Sequence, residues 1–166
     1  MNPAAQRFAV LALIVAALVA ADQYTKGLIE SSLPLGGGFN VIPGFFDIVH
    51  IRNTGAAFGL LSGVDSEWVS RGFMLFTVVA LGALAAMYRS LPAGERLSRT
   101  ALVMIGSGAI GNFIDRVERG GVTDYLLFYI GEYRWPAFNV ADSLITVGVI
   151  ALVVTIIFPR RPGGPA

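Results

Sequence analysis

The chain has 166 residues, 55% of them hydrophobic and 14% charged, against about 25% charged in soluble domains, which excludes an ordinary water-soluble globule. A net charge of +1 with no basic tract gives no electrostatic footprint for nucleic acid. The lack of cysteine and the single histidine, His50, exclude disulfides, thiolate chemistry and a protein-built zinc site.

Four apolar blocks separated by polar stretches read as an integral membrane protein, a four-helix transmembrane bundle. The first block runs from Phe8 to about Glu30. Its purely apolar part, Phe8 to Ala21, is short, and with Arg7 before it and Val19-Ala20-Ala21 at its end it also fits a cleavable signal peptide. Continued through Asp22, Gln23, Tyr24, Thr25 and Lys26, it becomes a span over 8–29 in which Asp22 and Lys26 stand one turn apart and can pair. A first outer loop follows over 31–71. Within it, Gly36-Gly37-Gly38 marks a turn, and the β-branched and aromatic stretch Phe39 to Ile51, broken by Pro43-Gly44, predicts a short hairpin.

The second span covers 72–88. The third, 100–116, is rich in small residues (Gly106, Ser107, Gly108, Ala109, Gly111), which let helix backbones approach closely and predict a helix inside the bundle. A second outer loop, 117–138, leads to the fourth span at 139–158, ended by Pro159, Pro162 and Pro165. Without internal repeats or a soluble domain, residues 1–166 read as one membrane unit.

Orientation follows from the basic residues. Arg7, the connection holding Arg89, Arg96 and Arg99, and the tail with Arg160 and Arg161 fall on one side with Glu95 as their only acid, so the positive-inside rule puts both termini in the cytoplasm. The unusual polar residues then converge at the outer end: Asp22 and Lys26, then Asn112, Asp115 and Arg116, then Asp124, then Asn139 and Asp142. Polar groups at membrane depth are costly and face a bundle interior or a wet cavity, so this convergence predicts a site. Gly108, Asn112 and Asp115 share one helical stripe and Asn139, Asp142 and Thr146 another, and a helix N-terminus favours the Asp142 carboxylate.

Taken singly, several of these have plain structural readings. Asp22 with Lys26 is an ion pair, Asp115 beside Arg116 a helix-end network, Asn112 and Asn139 interhelical hydrogen bonds, Gly108 packing, and Trp68 and Trp135 interfacial anchors. Asp124 and Asp142 resist that treatment, because no lysine is near them in sequence. A Ser-His pair would have to recruit His50, and a Ser-Lys pair could use only Lys26. Two carboxylates sharing a proton could instead activate water against an amide; spacing shows that they could meet, not that they do. An ion-coupled transporter using Asp22, Asp115 and Asp142 is the second reading, weakened because the inner halves of the spans carry almost no ionisable groups. A non-catalytic assembly subunit is the third.

The segments Asp22-Gln23-Tyr24-Thr25-Lys26, Asn53-Thr54-Gly55-Ala56-Ala57-Phe58-Gly59, Gly108-Ala109-Ile110-Gly111-Asn112-Phe113-Ile114-Asp115-Arg116, Val122-Thr123-Asp124-Tyr125 and Phe138-Asn139-Val140-Ala141-Asp142-Ser143 resemble, in order and spacing across nearly the whole chain, the lipoprotein signal peptidases (signal peptidase II). The resemblance implies a monomeric aspartyl endopeptidase of the bacterial inner membrane, with its active site near the outer face. It implies cleavage of diacylglyceryl-modified prolipoproteins before the lipidated cysteine, contact with membrane lipid, no cofactor, and inhibition by globomycin. It assigns Asp124 and Asp142 as the catalytic pair. Asn53, Gly108, Asn112, Arg116, Asn139 and Ala141 become pocket or substrate-contacting residues, and Asp22, Lys26 and Asp115 structural supports. It further implies that the first outer loop forms an extracytoplasmic β-cradle followed by a short helix over Leu60 to Ser70. Ser107 stands where many members have glycine, a small-for-small departure.

Overall fold

A computed structural model describes residues 2–55 and 66–158. In chain order it contains α1 (Pro3–Ser32), β1 (Gly38–Ile42), β2 (Phe46–Asn53), α2 (Ser66–Ser90), α3 (Arg96–Arg119), β3 (Val122–Ile130), β4 (Tyr133–Arg134) and α4 (Val140–Ile157). All four helices are long and apolar enough to cross a membrane. Exposed Leu13, Phe76, Val79, Ile150 and Ile156 show their outward faces to be apolar, as lipid requires.

α1, α2 and α3 run beyond the expected spans 8–29, 72–88 and 100–116, while α4 keeps within 139–158. α2 already begins at Ser66, so Ser66 to Ser70 of the expected loop helix belong to its opening turns; residues 60–65 of that expectation lie outside the described residues. α3 stops where Gly120 takes a left-handed conformation (φ 73°) and its N–H bonds the Arg116 carbonyl.

The small-residue helix does lie inside the bundle: α1, α2 and α4 each pack against α3. The share of the span that is buried is 39% for α3 against 6–11% for the others. Glycine makes this possible. A Cβ on Gly108 would strike the Ala141 carbonyl oxygen, and one on Gly148 would lie 2.8 Å from the Ala101 carbonyl oxygen, so α3 and α4 touch backbone to backbone.

The hairpin expected over Phe39 to Ile51 is present as β1 and β2, turning at Pro43-Gly44 with Gly44 at φ 80° and a Phe45 N–H to Ile42 carbonyl bond of 3.0 Å. It is half of a larger structure. Val122 to Ile130, read as loop, is a strand, and the sheet is a four-stranded antiparallel array in the order β1-β2-β3-β4. The fold is therefore four helices plus a small sheet, with more strand than the nearly all-helical reading predicted. The physical reason is pairing at a distance: β3 finds its ladder on β2, across the α2–α3 hairpin, with Ile51 opposite Asp124 and Asn53 opposite Val122. Phe128 stacks on Phe46 (4.6 Å between ring centroids) and lies 5.9 Å from Phe138, which ties the sheet to the chain entering α4.

Candidate active site

Three elements deliver the polar residues to one place. In β3 side chains alternate, so Thr123 and Tyr125 face α1, bonding Glu30 (2.5 Å) and Thr25 (2.8 Å), while Asp124 points the other way. Asp124 is only 2% exposed. One of its carboxylate oxygens accepts from the Asn53 amide (2.9 Å) and the other from the Asn139 amide (2.8 Å). Asn53 is itself aimed by a tight turn, its side-chain oxygen accepting the Gly55 N–H at 2.9 Å. Gly55 sits at φ 94°, with the Phe73 ring where a side chain would be, so glycine is needed there twice over.

Asp142 enters from α4. Asn139 is the N-cap of that helix and Asp142 its third residue, and the two form a reciprocal capping box: Asp142 N–H to Asn139 Oδ1 at 2.9 Å and Asn139 N–H to Asp142 Oδ2 at 3.1 Å. The other Asp142 oxygen accepts from the Asn112 amide at 2.7 Å. Asn139 thus holds Asp124 through its side chain and Asp142 through its backbone, bringing the two carboxylates to one amide-lined point. The stripes of α3 and α4 do face each other there.

Beside this pair lies the expected ion pair, enlarged. Lys26 Nζ contacts Asp22 (2.8 Å), Asp115 (2.8 Å) and the Asn112 side-chain oxygen (3.0 Å), with Lys26, Asp22 and Asp115 fully buried. All three ammonium protons are used. Asp22 also accepts the Ala141 N–H at 2.9 Å, and Gly111 leaves the space that Asp22 fills, so the cluster fastens the start of α4 to α1 and α3. Asp115 pairs with Lys26 and Arg119, not with its neighbour Arg116. Arg116 instead bonds the Asn112 carbonyl (3.1 Å) and lies over the Phe73 ring. Gly108 and Ala141 are buried in the α3–α4 contact. His50 is a buried strand residue, its Nδ1 at 2.9 Å from the Leu33 carbonyl. Trp68 and Trp135 are exposed.

Sequence reasoning missed an outer ring. Glu30 joins Arg52 (3.3 Å), Arg119 (3.0 Å) and Thr123, while Gln23 bonds Asp115 (2.8 Å) and accepts from Arg119 (3.1 Å). The signal available was helical spacing, since Arg119 lies four residues after Asp115 and Glu30 four after Lys26.

Burial pushes the Asp124 carboxyl up from 3.8 to about 6 and the nearby Asp142 charge adds to this, while the amides of Asn53 and Asn139 and the Lys26 charge work against it. Among the described residues neither Asp124 nor Asp142 has a cationic partner within ion-pair distance. No group of three or more histidine or acidic residues suited to a metal occurs among the described residues. The arrangement orients two buried carboxyl groups with neutral amide donors, close enough for the Asp142 charge to act on Asp124.

Residues 14–158 match the family model described as Signal peptidase (SPase) II. The lipoprotein signal peptidase of Oleidesulfovibrio alaskensis is 47% identical over 150 residues, covering 90% of this chain and 96% of the relative. That of Geobacter sulfurreducens is 46% identical over 144 residues, covering 87% and 89%. Among solved structures, a bacterial membrane enzyme determined by the in meso method superposes with a TM-score of 0.79 at 36% identity, covering 92% of this chain and 95% of the other.

Proposed function

The chain belongs to the signal peptidase II family, and from that premise we propose that it is a multi-pass aspartyl endopeptidase that removes signal peptides from diacylglyceryl-modified prolipoproteins, cutting before the lipidated cysteine. The observation that carries the catalytic part is Asn139, whose amide group and backbone N–H bond one carboxylate each.

Asp124 and Asp142 share one proton. The ionised carboxylate takes a proton from water as the water oxygen bonds the scissile carbonyl carbon, and the protonated one donates to the developing oxyanion. As the tetrahedral intermediate collapses, the C–N bond breaks, the leaving nitrogen takes the proton from the carboxyl group that had deprotonated the water, and the hydroxyl formed from the oxyanion returns its proton to the other carboxylate, regenerating the starting state. Asp142 suits the ionised role because it caps a helix N-terminus, where free N–H groups stabilise negative charge.

The single membrane unit has its termini in the cytoplasm and this site near the outer face, as the arginine distribution supports. There a lipid-modified peptide meets water without leaving the bilayer, its acyl chains entering sideways between helices. β1 to β4 serve as the cradle beside the site. Asn53, Asn112 and Asn139 set the carboxylates, Arg116 faces the peptide, Gly108 and Ala141 shape the wall, and Asp22, Lys26 and Asp115 hold the frame. The enzyme acts as a monomer, without cofactor, and binds globomycin in the same pocket.

The test is cleavage of a lipidated precursor by Asp124→Asn and Asp142→Asn proteins incorporated in lipid. Loss in both supports the pair; undiminished cleavage in both overturns it.

A further inference from the structure

α1 and α2 both lean on α3, and toward the end of the bundle away from the aspartates they part, leaving a cleft of about 570 Å³. Its walls are apolar, among them Leu11, Leu81, Leu84 and Leu102, and small Gly106 and Ser107 form part of its floor. At its mouth stand Arg7, Arg89 and Arg99 with Tyr88. None of these arginines has an ion-pair partner among the described residues. Arg99 is preset: it lies over the Tyr88 ring (4.8 Å), donates to the Leu91 carbonyl (2.7 Å), and its Nε is buried without an acceptor among the described residues.

We propose that this cleft is a binding site for an anionic phospholipid, its phosphate held by Arg7, Arg89 and Arg99 and its acyl chains laid between α1 and α2. Charge and shape both select this occupant. Three guanidinium groups at the mouth with no ion pair among the described residues favour an anion, and guanidinium is the side chain best matched to phosphate. The cleft floor runs from Arg99 to Ile110 along α3, about 16 Å at 1.5 Å per residue, which matches one leaflet of a hydrocarbon core about 30 Å thick. A wholly apolar groove continues from the shared residues Phe8, Leu11, Val15 and Ile110 along Ala12, Ala16, Val19 and Ala20, giving room for a second chain. This site is separate from the carboxylate pair and does not depend on the proposed peptidase chemistry or on which way the bundle faces.

Native mass spectrometry of the full chain, released from detergent doped with equal dioleoyl phosphatidylglycerol and dioleoyl phosphatidylcholine, tests it. The wild type should retain phosphatidylglycerol with a preference of at least about fivefold, the worth of one basic residue at an anionic surface. The triple variant Arg7→Gln, Arg89→Gln, Arg99→Gln should lose the preference while keeping its thermal unfolding and its cleavage of precursor. Gly106→Leu, which grows into open space since an added Cβ meets only Leu81 at 4.0 Å, should lower retention of both lipids. Equal retention of the two lipids by the wild type, or a preference that survives the triple variant, overturns the proposal. So does equally strong retention of the dihexanoyl analogue, which would show a headgroup patch with no use for the cleft.

Discussion

Two acidic clusters lie side by side at one end of the bundle, sharing Asn112 as a common wall, and they differ in one respect. Asp22 and Asp115 enclose Lys26, which gives each a contact of 2.8 Å and leaves no ammonium proton unused. Asp124 and Asp142 are held by amides from Asn53, Asn112 and Asn139 and by no cation within ion-pair distance. A buried carboxylate with a counter-charge beside it becomes framework. A buried carboxylate offered only neutral donors stays oriented yet keeps a labile proton. Orientation without neutralisation separates a reactive acid from a structural one.

The contrast is sharpest in activity. Asp124→Asn and Asp142→Asn should each lower the rate of precursor cleavage by about 10²–10⁴-fold, the usual range for a positioned acid or base, with the folded state retained. Lys26→Met should do the reverse. It leaves Asp22 fully buried without a cation and Asp115 with Arg119 alone, a loss of about 3–5 kcal/mol, read as a large fall in unfolding temperature in detergent. Lys26→Met that unfolds like the wild type would break the distinction.

That much of this was legible without coordinates is a matter of range. Asp22 with Lys26, the Asn112 and Asn139 stripes and the convergence of acids at one depth are local or additive properties of helices, and helical spacing exposes them. Helical spacing marks Arg119 four residues after Asp115 and Glu30 four after Lys26, but their partners Arg52, Gln23 and Thr123 meet them across 22 to 96 residues of chain, where no periodicity reaches. β3 was hidden for the same reason, since its partner strand lies on the far side of two spans. The helix-end network read at Asp115 beside Arg116 is present, but it runs through Arg119, because consecutive helical residues point in different directions whereas Asp115 and Arg119 share a face.

Proton affinity gives a finer test. Asp124 has its folded value raised to about 6 from an ordinary 3.8, so the folded state holds that proton more tightly than the unfolded chain does. The associated stability is full below about pH 4 and is lost as pH rises through about 6, on the order of 2–3 kcal/mol in all. The unfolding temperature of Asp124→Asn minus that of the wild type should therefore increase between pH 4 and pH 7, in favour of the variant. A difference that stays flat across that interval would contradict a raised Asp124. Smallest is the effect of Asn53→Ala. Removing a donor to Asp124 takes away a contact that lowers its affinity for protons, so the limb of the pH–rate profile set by Asp124 should move upward by about half a unit to one unit, the worth of one hydrogen bond.

The pairing of β2 with β3 has a consequence for biogenesis. Asp124 sits on a strand whose hydrogen-bonding neighbour was synthesised before the α2–α3 hairpin, and Asp142 lies in the first turn of α4, which is synthesised after that hairpin and after β3. No chain that stops short of α4 holds both acids in register, so under the proposed mechanism a nascent chain stalled before α4 lacks the pair and is inert toward the membrane around it.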